Sequence, residues 1–558
     1  MDRRILIMGG TGVFGKRLAR HLATFGGIEL FISSRTAAKA QTFVQSLKTK
    51  TPDLKAQGVA IDHRKNLDAQ LVAIKPFAVI DCSGPFQTAN YDAAQTILKA
   101  GAHLIDLADA RDYLANFTQQ LDALARESNV AALTGASTTP TLSSCVVEHV
   151  TRNWQRIDTI DICITPGGKS EVGRSVIEAI LSYAGKRIPI WVDGHLTQTT
   201  GWTGAKIVNI PKLGRRRVAP VETYDAEYLG PRHNVQSRVA FSAGLESAIE
   251  QRGIEIIATL RKYKLFPSPL TLIPLLLKAR LITRIPTSDQ GGMLVEISGL
   301  DASGQFTQTK WSLLAKNDHG PFIPVLPAAT ALQKLLENEV PSGAFLANQH
   351  MALPDILTQM TPYEIVSQTE VSHANQSAIE AYLGVEQFGR LPQALKEFHG
   401  QDSPPIWSGQ ATVQRGSNGF AKALAWAFGF PEAGVSVPLT VRVDRTLSHT
   451  GNPVERWTRI FASKSLSSVL QRQADGSFSE QFSPFTFTLG LNVDEQLIRM
   501  PVTKWTIGKV PLPMSLSPQS DTKEFQDAHG RFNFDVRLTV PFIGLLAHYR
   551  GWLIPTSA

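Results

Sequence analysis

Cysteine is scarce in this sequence: Cys82, Cys145 and Cys163 are the only three. None is spaced as CxxC and none has paired histidines beside it, so neither a disulfide framework nor a zinc site is open to them. In apolar surroundings they read as small buried hydrophobes in a reducing compartment. Long apolar runs are missing too. The stretch Ile5 to Met8 is far too short for a signal-peptide core. The longest run, "LFPSPLTLIPLLL" from Leu265 to Leu277, carries three prolines and falls short of the roughly 18 residues of a spanning helix. A soluble, cytoplasmic chain is the expectation. No G-x-S-x-G elbow, P-loop or nucleic-acid motif occurs, so hydrolysis, phosphotransfer and nucleic-acid binding have no support. The formal charge of +8 is scattered rather than massed, which favours anionic ligands or a membrane surface weakly.

What is present begins at residue 3. In "RRILIMGGTGVFGKRLARHL" a continuous apolar run, Ile5 to Met8, has the texture of a strand buried on both faces of a parallel sheet. It runs into Gly10, Thr11, Gly12, Val13, Phe14 and Gly15, the spacing G-x-G-x-x-G. Gly10 would permit the tight turn, Gly12 the approach of backbone to a pyrophosphate, and Gly15 close packing of helix on strand. Leu18, Leu22 and Phe25 continue at helical spacing until Gly26 and Gly27. The free amides at the start of that helix make an anion site. A second strand, "ELFISSR", ends in Ser33, Ser34 and Arg35, where an NAD enzyme would place an acid for the ribose hydroxyls. A guanidinium flanked by hydroxyls suits a 2′-phosphate instead, and the expected cofactor is NADP(H).

Further strands end at Asp62, at Cys82, Ser83 and Gly84, near Asp106, and near Ser137, with helical patterns between them. Strict alternation implies a doubly wound parallel sheet with its ligand at the carboxyl ends of the strands. Asp62, Cys82, Ser83, Gly84 and Pro85 therefore join the candidate cofactor residues, and Asp106, Asp109 and Ser137 become the candidates for catalysis, with Tyr113 and His103 beside them. Asp106 reads equally as a helix cap, and Ser137 either bonds a carbonyl or turns the chain.

The stretch "VIDCSGPFQTANYDAAQTILKAGAHLIDLADARDY" closely resembles the N-terminal module of the saccharopine dehydrogenase-like family. With the glycine loop and "TGASTTPTLSS" the likeness spans roughly the first 150 residues and, more loosely, the region to about 355. It implies an NADP(H)-binding Rossmann domain, a second α/β domain whose sheet supports the substrate and often a homodimer, and a place for Ser83, Gly84 and Pro85 beside the nicotinamide ribose. One departure stands out. Saccharopine-forming enzymes carry a Gly-Leu-Asp-Pro-Gly type turn after the sixth strand, whereas this chain reads Gly135-Ala136-Ser137-Thr138-Thr139-Pro140. The carboxylate for amino-acid chemistry is missing there, and no arginine cluster is placed for a dicarboxylate. By analogy the chain is closer to the family's lipid and polyketide branch, which includes trans-acting enoyl reductases.

Expected boundaries follow: a Rossmann domain over 1–150, a substrate and dimerisation domain over 151–355, a polar linker with one helix over 356–392, and a β-rich domain over 393–558. Arg215 to Arg217 read as a solvated turn, the alternative being a contact for an anionic acyl carrier or a phosphate. The segment 257–285, apolar with basic flanks, suits either an interfacial anchor at a lipid surface or a helix pair buried under an interface. The last third, from "GQATVQRG" to "GLLAHYRGWL", resembles a domain of unknown function fused behind saccharopine dehydrogenase-like modules in bacteria. Its Trp457, Arg459, Phe461, Glu480, Tyr549 and Trp552 either line a pocket or form a stacked aromatic core with a buried Arg–Glu pair. The functional expectation is an NADP(H)-dependent oxidoreductase acting on a C=C, C=O or C=N bond of a hydrophobic small molecule. The alternatives are a non-catalytic NADP(H) sensor and a membrane-surface scaffold with a lipid- or partner-binding C-terminal domain.

Overall fold

The computed structural model describes residues 3–62, 65–171, 174–265, 269–448, 451–462, 464–494, 496–508 and 510–556. The first strand, β1 (Arg3–Met8), lies inside a parallel sheet, and its side chains explain why the run is apolar throughout. Ile5 and Ile7 enter the core on one face, and Leu6 and Met8 the core on the other. Helix α1 (Val13–Leu22) follows, then β2 (Ile28–Ser34), α2 (Ala37–Lys48), β3 (Ala56–Ala60), α3 (Leu67–Ile74), β4 (Ala78–Asp81), α4 (Asp92–Lys99), β5 (His103–Asp106), α5 (Arg111–Glu127), β6 (Ala131–Thr134) and α6 (Ser143–Val150).

The second domain comprises β7 (Arg156–Thr165), α7 (Arg174–Tyr183), β8 (Arg187–Val192), β9 (His195–Thr200), β10 (Lys206–Ile210), β11 (Gly214–Pro220), α8 (Asp225–Arg232), β12 (Arg238–Ala243), α9 (Ala248–Lys262), α10 (Ile273–Thr283), β13 (Gly291–Leu300) and β14 (Phe306–Ala315). The chain then returns through α11 (Leu326–Leu336), β15 (Gly343–Leu346), α12 (Leu353–Met360) and β16 (Ile365–Ala374). Among the described residues the first sheet has seven strands in the order β15-β6-β5-β4-β1-β2-β3, and the second, mixed sheet has nine, with β7 central and β16 at an edge.

Three expectations are revised. The Rossmann sheet does not close within 1–150, because β15 pairs in parallel with β6 and extends the edge. The back of α1 is covered by this returning segment: buried His21 meets Gln359 at 2.8 Å and Tyr363 at 2.9 Å. The linker of 356–392 is not one, since β16 pairs along β14 while Ala378, Ile379, Phe388 and Leu391 belong to the C-terminal core. Arg215 to Arg217 lie on β11, where Arg217 pairs with Glu255 at 2.7 Å and Arg216 with Glu246 at 3.7 Å.

The C-terminal domain is a thirteen-stranded antiparallel sheet among the described residues, running between Ile406 and Pro555. It has its own aromatic core, with Phe398 and Phe532 stacked at 3.9 Å between centroids. It rests on the second domain through Arg442 to Asp193 at 2.9 Å and Arg156 to the Asp402 carbonyl at 2.8 Å.

Candidate active site

The glycine loop owes its shape to four glycines, one of which the G-x-G-x-x-G spacing does not include. The tight turn falls on Gly9, at φ +65, where an added Cβ would stand 2.8 Å from the Cys82 carbonyl oxygen. Gly9 N–H donates to Ser33 Oγ at 3.1 Å, and the Gly12 N–H donates to the Gly9 carbonyl at 2.9 Å. A Cβ on Gly15 would lie 2.3 Å from the Gly9 oxygen, so helix and loop touch backbone to backbone. Gly10 is likewise closed off, by Ile32 at 2.7 Å. Gly12 differs: a Cβ there would meet only the Gly9 oxygen, at 3.1 Å, and otherwise project into open space. Gly12 is the N-cap of α1, no side chain caps that terminus, and its first turn holds no acid. Open space above free amides fits a pyrophosphate.

At the end of β2, Ser33 and Ser34 are buried and turned toward the loop. Ser34 Oγ accepts from Thr11 at 3.1 Å, tying the loop to the strand. Arg35 is exposed, and no hydrogen bond or ion pair engages it among the described residues. Asp62, just past the end of β3, forms an ion pair with Lys65 at 3.9 Å. At the end of β4 the Asp81 carboxylate accepts from the Ser83 amide at 2.8 Å and the Ser83 hydroxyl at 2.5 Å, which fixes the Cys82-Ser83-Gly84-Pro85 turn against the loop. Burial pushes the half-buried Cys82 thiol well up, so it is a neutral wall.

Asp106 is enclosed, with 1% of its surface exposed. Its Oδ1 accepts from the Ala108 amide at 3.0 Å, the Gly135 amide at 2.9 Å and Thr134 at 2.8 Å, clamping the ends of β5 and β6 together. Its Oδ2 is buried without a partner, and burial raises the acid to about 7. The carboxyl shapes the site and does not face it. Asp109 is different: it is reached by solvent yet recessed among protein atoms, which lifts its carboxyl, while Gln87 donates to it at 3.1 Å and opposes that rise. Ser137, half-buried at the end of β6, has no hydrogen-bond partner for its hydroxyl among the described residues.

The second domain supplies what the sequence patterns did not mark. Tyr183, the last residue of α7, has its phenol raised by burial first and then by the nearby Asp109 charge, with Glu222 adding to it. Arg111 stands beside them, already surrounded by Asp112 at 2.6 Å, Glu222 at 3.9 Å and Glu227. Asp225, wholly buried at the start of α8, accepts the hydroxyls of Thr139 and Ser143. Thus the Ser83 turn, Asp109 and Ser137 follow β4, β5 and β6 at the carboxyl edge of the first sheet, and Tyr183 of the second domain stands near Asp109. No sequence motif points to Tyr183 or Asp225, because the helical periodicity of their elements says nothing about which other domain they face.

Residues 5–133 match the model of the saccharopine dehydrogenase NADP binding domain, and residues 391–553 match that of the domain of unknown function DUF4166. The N-terminal module is therefore an NADP-binding domain of an oxidoreductase family, fused to a separate β-rich domain. No curated protein matches the chain in sequence. Similar solved structures include an amine dehydrogenase from Mycobacterium smegmatis, 13% identical, covering 63% of this chain and 97% of its own, at a TM-score of 0.35. An engineered D-amino acid dehydrogenase bound to NADP+ is 17% identical over 64% of this chain and 96% of its own, at 0.35. A myo-inositol dehydrogenase from Corynebacterium glutamicum is 9% identical over 66% and 99%, at 0.32.

Proposed function

We propose that this chain is an NADP(H)-dependent oxidoreductase that reduces, or in reverse forms, a C=C, C=O or C=N bond in a hydrophobic, uncharged small molecule. The observation that carries the proposal is the Asp109–Tyr183 pair: two groups from different domains, near enough that the Asp109 charge raises the Tyr183 phenol, at the carboxyl edge of the sheet that also ends in the Ser83 turn. NADPH, when bound, supplies the hydride. The Gly12 to Phe14 amides and Arg35 would hold its phosphates, and Ser83 to Pro85 would border its nicotinamide ribose. There the neutral Tyr183 phenol gives its proton to the substrate atom that gains negative charge, and the solvent-reached Asp109 carboxylate orients the water that returns it. Arg111, already neutralised by three carboxylates, is not free to hold a carboxylate substrate. An uncharged substrate therefore fits this site best.

The test is consumption of NADPH by the intact chain against a panel of enoyl, ketoacyl and imine compounds, repeated with Tyr183→Phe and Asp109→Asn. A general acid is worth roughly 10²–10⁴ in rate, so kcat should fall by at least about a hundredfold while NADPH affinity holds. Binding without consumption of any panel member would favour the sensor reading. Unchanged kcat in both variants would place the chemistry elsewhere.

A lipid-surface contact through 257–285 is supported by the side chains that α9 and α10 leave in solvent. Residues 266–268 lie outside the described residues, but Leu265, Leu275, Leu281 and Ile282 are each at least 60% exposed beside Lys262, Lys278 and Arg284. No helix of the described residues is long and apolar enough to cross a membrane. Flotation with anionic vesicles tests the contact, and a homodimer that buries the same face in solution would replace it.

A further inference from the structure

The C-terminal sheet wraps around a cavity of about 310 Å3. Strands near both ends of the sheet contribute to its wall, Thr522 from one side and Trp505 from the other, so it lies inside the curved sheet. This volume is at the lower end of the roughly 300–1,000 Å3 of small-molecule sites, and the wall is overwhelmingly Leu, Val and Phe. A cavity so lined, within a core whose aromatics otherwise close on one another edge-on and stacked, is a place kept for something apolar.

Its few polar groups define the rest of the occupant. Arg459 bonds Glu480 at 3.2 Å and Ser468 at 2.9 Å, and lies over the Trp457 ring at 5.2 Å. Glu524 is held by the buried His399 ring at 2.7 Å. Thr522 is engaged with Ser520 at 2.7 Å. Tyr549 is the exception: it is buried as a residue, but its hydroxyl, without a hydrogen-bond partner among the described residues, is not closed off and borders the cavity. Burial pushes that phenol up to about 12, so it stays a neutral donor. A hydroxyl that opens on a cavity walled by apolar side chains can take its acceptor from a ligand held there. The guanidinium is already paired and two carboxylates border the cavity, so an anionic head group would meet net repulsion.

We propose that this cavity binds one uncharged amphipathic molecule, an apolar chain bearing a carbonyl or hydroxyl that accepts the Tyr549 hydrogen bond. Trp457, Arg459, Phe461, Glu480 and Tyr549 line it, whereas Trp552 does not: its ring lies under Arg531 at 4.5 Å. The site stands apart from the nucleotide loop and does not depend on turnover there.

The test uses the full chain with Nile red as the fluorescent probe, displaced by hexadecanol, methyl palmitate, hexadecane or palmitate. Saturable one-to-one Nile red binding, displaced by the alcohol and the ester and far less by palmitate, is the expected result. Tyr549→Phe should weaken hexadecanol by roughly 2- to 12-fold, the worth of one neutral hydrogen bond, and leave hexadecane unchanged. Val502→Trp, which projects bulk into the cavity from a half-buried wall position, should abolish displaceable binding. Gly12→Val should bind the probe normally, which separates this site from the nucleotide reading. Absence of saturable binding to the wild-type chain, palmitate competing as well as the alcohol, or an equal loss for hexadecane in Tyr549→Phe would each overturn the proposal.

Discussion

Replacing Arg35 by alanine should separate NADPH from NADH without touching the fold. Its guanidinium is exposed and unengaged, so nothing in the native structure is lost when it goes, and thermal stability should stay within the few tenths of a kcal/mol of an ordinary surface change. What is lost is the contact with a 2′-phosphate. A charge-assisted hydrogen bond to such a group is worth about 1.5–3 kcal/mol, which is roughly a 10- to 150-fold weaker NADPH. Solvent screening at an exposed strand end puts the expectation toward the lower figure. Arg35→Asp adds repulsion of about 1 kcal/mol at a separation near 4 Å in water, a further factor of about five. NADH, with no 2′-phosphate, should bind both variants of Arg35 as it binds the wild type. The assay is titration by nicotinamide fluorescence at two ionic strengths. Raising salt should weaken NADPH more than NADH in the wild type and equally in Arg35→Ala. A shift under threefold for NADPH in both variants would refute the phosphate assignment. Ser33 is no substitute for it, because its hydroxyl lies buried behind the loop, where it accepts from the Gly9 amide.

The glycines give a paired expectation. Gly12→Val should keep the fold and lose nucleotide binding, since its side chain would occupy the open space above the helix terminus. Gly15→Val must instead push α1 off the loop, and should lower the melting temperature as well as abolish binding. Asp106 gives a pH signature. With its folded value near 7 and an unfolded value near 3.9, the neutral acid's contribution is complete below about pH 4, is lost as pH rises to 7, and is flat above. The total is on the order of 4 kcal/mol, at about 1.4 kcal/mol per pH unit. Asp106→Asn keeps a carbonyl for the three donors and cannot ionise. Hydrogen exchange of the 103–106 and 131–134 segments should therefore be slowed more by Asp106→Asn at pH 8 than at pH 5, and equal effects at both would contradict the burial argument.

Much of the first module was legible because its signals are local. A continuous apolar run, a glycine loop and a polar residue at each strand end repeat through residue 137, and the parallel sheet reproduces them in order. Gly9 was passed over because the spacing begins one residue later, although the doubled glycine in "MGGTG" is the available signal. β15 stayed hidden because "GAFL" is four residues long and its pairing partner lies some two hundred positions earlier. "IVSQTEVSHA" looked like a linker because an edge strand with one face in water carries little apolar pattern, and most of its residues remain exposed. In the last third, five of the six singled-out polar and aromatic residues do share one cavity. Whether they would enclose space or fill it depends on sheet curvature, which no single strand encodes.

The departure at Ser137 acquires a different meaning once α8 is in place. The sixth-strand turn lacks a carboxylate of its own, yet Asp225 arrives at the same turn from the second domain. It is wholly enclosed, its acid is raised by burial, and Thr139 and Ser143 donate to it. A carboxylate there binds the two domains together and reaches no ligand. The acids left near Tyr183 are Asp109 and Glu222, and Glu222 is within 3.9 Å of Arg111. On the proposed reading, a neutral phenol with no unpaired cation beside it disfavours charged substrates by the cost of desolvating them unpaired. The C-terminal cavity obeys the same arithmetic, with its guanidinium paired and its phenol free. The substrate proposed for the first site and the ligand proposed for the C-terminal cavity thus share one chemistry, an apolar body carrying a single uncharged polar group.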